Sequence, residues 1–453
     1  MRVLLLQPYT FTVRGLPQVP LAVMYIAAEA QAQGHDVCIV DRNIEVNSRK
    51  IIDEFRPDIM GVTSLTGTMI IDGLKVTRYV KDRFPDVKVV WGGIHTTILP
   101  EQSLAEPGID YVVIGEGEQT FKELLNALEK NSDVKNIQGL GYKDESGRIL
   151  INERRPPIKD LDSIALIPWH LIKPSRYVKH ETLFITSRGC PHRCAFCYNE
   201  KVNFQKWRGM SAERVKKEIE HALFYHPIKR YRFDDDNFCV NKNRFYEILD
   251  FLPKDVPLYF ESRIEYIDEE FCRRLKEFKD AFVFCGIESG DDEMLKTMRK
   301  DLTVEQIRNG YELINKYKIN TSASFVIGAP GETRKQLKRT LELIDSVKPT
   351  RPSCCIFVPF PGSVFTEALM NEGKLKEFNT LESWGKFTNS EYATTHQYGE
   401  VPVKELNKFY KKYFWNFVIA FALRLRIGWI VIGGINVLKN YFRKLQKNMN
   451  RDI

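Results

Sequence analysis

Residues 183–198 read L-F-I-T-S-R-G-C-P-H-R-C-A-F-C-Y. An apolar, β-prone run from Leu183 to Thr186 leads into Ser187-Arg188-Gly189, and three cysteines follow: Cys190, Cys194 and Cys197. Thiolates this close in sequence can all reach one metal centre, and soft sulfur ligands suit an iron–sulfur cluster or zinc. Zinc asks for a fourth ligand. His192 lies inside the loop, but most zinc sites are built from two separated pairs. Three thiolates on a cubane of four irons leave one iron without a protein ligand, open to a substrate or cofactor. The plainer reading is three buried or zinc-binding cysteines.

The loop sits at the head of a run of βα units. Strands are expected at Leu183–Thr186, Arg230–Phe233, Leu258–Glu261, Ala281–Gly286, Thr321–Ile327 and Cys354–Val358. Helices are expected at Ala212–Phe224, Arg244–Phe251, Glu269–Lys276, Val304–Tyr317 and Arg334–Val347. Six units suit a partial (βα)6 barrel with its active groups at the carboxyl ends of the strands. Polar turns stand at those ends: F-D-D-D-N-F from Phe233, E-S-R from Glu261, G-I-E-S-G from Gly286 and G-A-P-G-E-T from Gly328.

With a strand before the first cysteine and aromatic Phe196 before the last, the C-x-x-x-C-x-x-C loop resembles that of the radical S-adenosylmethionine (radical SAM) superfamily. The resemblance implies a 4Fe–4S cluster on Cys190, Cys194 and Cys197. Its open iron would chelate the amino and carboxylate groups of SAM, and reduction would release a 5′-deoxyadenosyl radical. It also implies SAM contacts at Phe196, Asp235, Asp236, Arg263, Glu288, Ser289, Gly328 and Pro330. A carboxylate at Asp235 or Asp236 can accept hydrogen bonds from an ammonium or a ribose hydroxyl. Arg263 suits the methionyl carboxylate, with a structural salt bridge as the alternative. Glu288 would meet the ribose or amino end, and the G-A-P-G-E-T turn the adenine.

Residues 1 to about 135 alternate short strands with helices. Strands are expected at Val3–Leu6, Val37–Val40, Asp58–Val62, Val87–Trp91 and Tyr111–Ile114, with helices at Leu21–Gln33, Ile70–Arg83 and Gln119–Leu128. This is the pattern of a doubly wound parallel sheet, whose ligands lie beyond the carboxyl strand ends. Turns rich in glycine and hydroxyls stand there: Thr63–Gly67, Gly92–Thr96 and Gly115–Glu118. Each alone is an ordinary βα turn. Together, before a radical SAM loop, they look like a cobalamin-binding domain, and the resemblance puts Ser64, Thr66, Gly67, Gly92, Gly93, Gly115 and Glu116 against cobalamin. The family's cobalt-ligating D-x-H-x-x-G is missing, since the loop from Gln7 to Gly15 holds no histidine. His35 and His95 read as surface or hydrogen-bonded histidines.

The chain thus divides into a cobalamin-binding domain (1–135), a linker with a hairpin (136–180), a radical SAM core (181–375) and a helical C-terminal region (376–453). Tyr410–Phe442 is aromatic, aliphatic and basic; Arg424, Arg426 and Gly433-Gly434 break what would otherwise approach a spanning segment. It reads either as an interfacial membrane contact or as helices packed on the core. A net charge of +8 over 453 residues does not demand nucleic acid. Nine cysteines without a paired framework fit a reducing, cytoplasmic setting.

By resemblance the expected activity is cobalamin-dependent radical methyl transfer to an unactivated carbon, through methylcobalamin. The expected partners are a small or lipid-like substrate and an electron donor such as flavodoxin or ferredoxin. The first alternative is oxidation or ring closure, as in anaerobic oxidative cyclases. A tRNA methylthiotransferase ranks lower, because the first domain holds only Cys38 and the tail reads as helical rather than as an RNA-binding barrel. A non-catalytic cobalamin carrier ranks lower too, given the intact cysteine triad.

Overall fold

A computed structural model describes residues 1–10, 17–177, 181–375, 378–385 and 396–424. Along the first third run β1 (Arg2–Gln7), α1 (Leu21–Ala32), β2 (Asp36–Asp41), α2 (Ser48–Phe55), β3 (Ile59–Thr63), α3 (Thr68–Arg83), β4 (Lys88–Gly92), α4 (Ile94–Ile98), α5 (Pro100–Leu104), β5 (Tyr111–Val113), α6 (Gly117–Glu129), β6 (Leu140–Lys143) and β7 (Ile149–Ile151). The sheet order is β2-β1-β3-β4-β5-β6-β7. Strands β1 to β5 are parallel, and β6 and β7 are antiparallel. Val3 to Leu6 are buried on both sheet faces, as a parallel strand between two helical layers must be. The order reverses between β1 and β3, which marks the carboxyl ends of those strands as the ligand crevice. The hairpin expected in the linker continues this sheet, because Tyr111 pairs directly with Tyr142.

The second sheet begins with β8 (Thr182–Phe184). Then come β9 (Ser187–Arg188), α7 (Asn199–Asn203), β10 (Arg208–Gly209), α8 (Ala212–Tyr225), β11 (Tyr231–Phe233), α9 (Lys242–Phe251), β12 (Leu258–Ser262), α10 (Glu269–Lys276), β13 (Ala281–Glu288), α11 (Asp292–Thr297), α12 (Val304–Tyr317), β14 (Asn320–Ile327), α13 (Arg334–Val347) and β15 (Arg351–Ile356). Among the described residues three helices follow: α14 (Val364–Asn371), α15 (Leu381–Gly385) and α16 (Val403–Arg424). The strand expected over Leu183–Thr186 stops at Phe184. The backbone N–H groups of Thr186 and Ser187 turn to the Asp235 carboxylate instead of a neighbouring strand.

The chain forms two compact units. One holds residues 1–261, 277–280 and 359–389. In it β8, β11 and β12 lie parallel, with Phe233 beside both Phe184 and Phe260. Phe233 and Phe238 stack at 4.4 Å, and Phe245 and Phe260 close the cluster. This aromatic core lies under the D-D-D-N turn. The other unit holds residues 262–276, 281–358 and 390–453. Its strands β13, β14 and β15 are parallel, and β13 carries a bulge between Gly286 and Glu288. Helices α12 and α13 both start in full capping boxes, Thr303 with Gln306 and Thr333 with Gln336. Helix α16 packs along β15, with Leu406 and Tyr413 buried. Residues 425–442 of the basic aromatic segment lie outside the described residues.

Candidate cofactor site

The cysteine loop grows from a short ladder. Arg188 and Arg208 are paired on β9 and β10, so residues 189–207 form a loop closed at its base. Gly189 turns the chain at φ +82°, where a side chain would run into the Lys206 carbonyl. The Cys197 N–H donates to the Cys194 carbonyl at 3.0 Å. Asn199 anchors the far side: its Nδ2 donates to the Cys190 carbonyl at 2.6 Å and its backbone N–H approaches Cys197 Sγ at 3.4 Å. Asn237 Nδ2 lies 3.9 Å from Cys190 Sγ. The Phe365 N–H holds the Ala195 carbonyl at 2.9 Å. Burial pushes the Cys197 thiol up to about 12, and the nearby Cys194, Asp236 and Cys190 add to it. Among the described residues no three Cys, His, Asp or Glu side chains are drawn to coordinating distance. The donor set still fits an iron–sulfur cluster: three thiols on one loop, with N–H groups aimed at two of the sulfurs, the arrangement that tunes such clusters. Phe196 is half-buried in this loop.

Two adjacent carboxylates hold the loop in different ways. Asp235, 1% exposed, accepts the Thr186 N–H at 2.7 Å, the Ser187 N–H and the Thr186 hydroxyl. Burial pushes its carboxyl up to about 6 against those bonds and Arg244. Arg244 completes the knot by donating to the Thr186 carbonyl and hydroxyl at 2.9 and 2.7 Å. Asp236 accepts the Gly189 N–H at 3.0 Å through Oδ2 and is open to water. The protein massed around it still pushes its carboxyl upward.

The remaining residues expected at SAM lie in the second unit. Arg263 is taken by Glu265 and the Lys300 carbonyl. Glu288 accepts from Lys300 Nζ at 2.9 Å, with both side chains buried. Its φ of +72° is a strained backbone for a residue with a side chain, as is found where a site must be held in one geometry. The Ser289 hydroxyl meets that of Thr340 at 3.2 Å and accepts the Asp291 N–H. Gly328 (φ +73°) donates its N–H to Glu332 Oε2, and half-buried Pro330 follows in the same turn. Lys300 escaped the sequence reading: a lysine after a short helix carries no local sign of burial.

In the first sheet the turns after β3 and β4 are tied together. Ser64 donates to the Gly92 carbonyl at 2.9 Å and meets the Thr96 hydroxyl at 2.7 Å. A side chain on Gly93 would strike the Ser64 backbone. Thr66 Oγ1 lies 2.9 Å from His95 Nδ1, and burial pushes that imidazole down to about 3, so it stays neutral. Gly67 (φ +110°) precedes α3, and Leu65 stands 46% exposed between the hydroxyl residues. Gly115 (φ +87°) faces open space beyond β5. Glu116 does not. Burial alone would raise its carboxyl, but Arg208 and Arg188 hold it below the usual range. Its oxygens are committed to those arginines and to the Ile158 N–H at 2.6 Å.

Residues 10–125 match the family model described as B12 binding domain, and residues 184–344 match the Radical SAM superfamily. An uncharacterized methyltransferase of Pyrococcus horikoshii is 34% identical over 86% of each chain. An anaerobic magnesium-protoporphyrin IX monomethyl ester cyclase of Rubrivivax gelatinosus is 28% identical over 79% of this chain and 68% of its own. The solved structure of the radical SAM methyltransferase TsrM from Kitasatospora setae, with cobalamin and a 4Fe–4S cluster bound, superposes with a TM-score of 0.69. It is 19% identical, and the match covers 82% of this chain and 75% of that one.

Proposed function

The chain belongs to the radical SAM enzymes that carry a B12-binding domain, and on that premise we propose that it moves a methyl group from SAM to an unactivated carbon of a small or lipid-like substrate. Its cofactors are a 4Fe–4S cluster, SAM and cobalamin. When bound, they supply a 5′-deoxyadenosyl radical and a transferable methyl group; the protein supplies orientation and dryness. Cys190, Cys194 and Cys197 would hold the cluster, with Asn199 and Asn237 donating toward its sulfurs. Asp235 commits its oxygens to the Thr186 and Ser187 N–H groups and the Thr186 hydroxyl. The uncommitted Oδ1 of Asp236 is therefore the better acceptor for the ammonium of SAM. Glu288, held by Lys300, would accept a ribose hydroxyl, and the Gly328–Pro330 turn would border the adenine. The turns at Ser64–Gly67, Gly92–Gly93 and Gly115 would cradle cobalamin. A one-electron donor of flavodoxin or ferredoxin type would complete the electron balance.

The observation that carries methyl transfer is the methyltransferase relative, matched over 86% of both chains. The cyclase relative favours a second reading, oxidative ring closure. Anaerobically reconstituted protein given SAM with a deuterated methyl group and a metabolite extract separates them by mass spectrometry. Label in the product is expected; an unlabelled, oxidised product overturns the methyl reading. Cys194→Ala should abolish 5′-deoxyadenosine formation under dithionite, and retained formation would remove the cluster assignment. Among the described residues no helix is long and apolar enough to cross a membrane.

A further inference from the structure

The two arginines at the base of the cysteine loop stand opposite each other on an antiparallel ladder. Like charges in that position repel, and these side chains are only 16% and 12% exposed. The counter-charge comes from the turn after β5, in the first sheet. Glu116 Oε1 lies 3.3 Å from Arg188 Nη1 and 2.7 Å from Arg208 Nη2, and Oε2 lies 3.0 Å from Arg208 Nη1. Glu118, 6% exposed, takes the other arm of Arg188. The Tyr25 ring of α1 lies 5.3 Å from the Arg188 guanidinium, and its hydroxyl donates to the Ile185 carbonyl at 3.0 Å. From the segment after the hairpin, Arg154 donates to the Lys201 and Val202 carbonyls at 2.8 and 2.9 Å, closing the C-terminus of α7 just past the last cysteine. Neither pair of charges is satisfied without the other. A buried carboxylate or guanidinium left alone is strongly destabilising.

We propose that Arg188 and Arg208, with Glu116 and Glu118, are positioning residues that lock the cysteine loop to the strand-end turns of the first sheet. What the loop binds and what the turns bind then face the substrate in fixed register. The lock rests on the cofactor assignment above. Arg208→Lys keeps the charge and loses the two-pronged fork; Arg208→Gln is the harsher variant.

The test uses the full chain and needs no substrate. In the cofactor-free protein, Arg208→Lys should speed amide hydrogen exchange at 115–118 and at 187–190 together, leaving 231–233 unchanged. In protein reconstituted with iron, sulfide and hydroxocobalamin, SAM and dithionite are added and two products are counted. SAM that gives up its methyl group, as a cation, to cobalamin that dithionite has reduced by two electrons leaves S-adenosylhomocysteine. SAM that accepts an electron from dithionite breaks its S–C5′ bond, leaving methionine and a radical that takes a hydrogen atom from a buffer component to become 5′-deoxyadenosine. The first product should fall about tenfold relative to the second, since misplacing reacting groups by about an ångström costs on the order of a hundredfold. Exchange that changes at one segment alone, or products that fall in proportion, would overturn the lock. Wild-type protein that makes 5′-deoxyadenosine and no S-adenosylhomocysteine would instead overturn the methyl-transfer reading, and the exchange result would then decide the lock by itself.

Discussion

Asp234, Asp235 and Asp236 are the same residue type in a row, and each does something different. Asp234 pairs with Arg232 at 2.6 Å, Asp235 is sealed under the loop, and Asp236 looks outward. Removing the second carboxylate strands the Thr186 and Ser187 N–H groups in the core, at about 1–3 kcal/mol each. Asp235→Ala should therefore lower the denaturation midpoint and the iron content together. Asp236→Ala should leave the fold intact and weaken SAM binding by roughly tenfold or more, the worth of a hydrogen bond to a charged group, measured by equilibrium dialysis. If both variants behave alike, the division of labour is wrong. The carboxylate run is legible in the sequence. Which member is buried is not, because that depends on where Thr186 and Ser187 leave the strand. Glu116 teaches the same lesson: its turn reads as a ligand cradle, while its partners lie 72 and 92 residues further on, at Arg188 and Arg208.

Among the elements, those that announce themselves carry periodic burial and explicit ends. Helices α12 and α13 fall where their Thr-x-x-Gln boxes say they start, and parallel strands such as β1 and β4 follow from continuous apolar runs. The two-residue ladder β9–β10 has no such signal, since nothing in Ser187-Arg188 or Arg208-Gly209 favours a strand. It exists because the loop between must close. Gly189 makes that closure, so Gly189→Ala should cost at least about 1–2 kcal/mol for the left-handed backbone alone, with the Lys206 carbonyl in the way besides. Iron per chain after anaerobic reconstitution should drop to near the level of Cys194→Ala; full iron uptake would show that the loop tolerates another path.

For the whole molecule, the parallel strands of both sheets were legible from the alternation of strands and helices, whereas the grouping into units was not. The helical region after residue 375 divides: α15 joins the first unit, where Trp384 meets His95 edge-on at 6.1 Å, and α16 joins the second. Stability of the chain should also depend on pH through Glu332. This fully buried side chain is pushed up to about 7 by burial, with Asp291 adding, although the Gly328 N–H opposes the rise. Between the ordinary carboxylate value and that point the folded chain holds a proton that the unfolded chain has lost. Stability contributed here therefore falls as pH rises through that window and levels off above it. Glu332→Gln should flatten the change in denaturation midpoint between about pH 5 and about pH 8; an unchanged slope would assign it to other groups. Residues 359–389 are part of the same unit as residues 1–261. During synthesis that unit is therefore completed only after residue 389 has left the ribosome. The cysteine loop gains its contact with the Phe365 N–H only then, so this support of the thiols is added late in the life of each new copy.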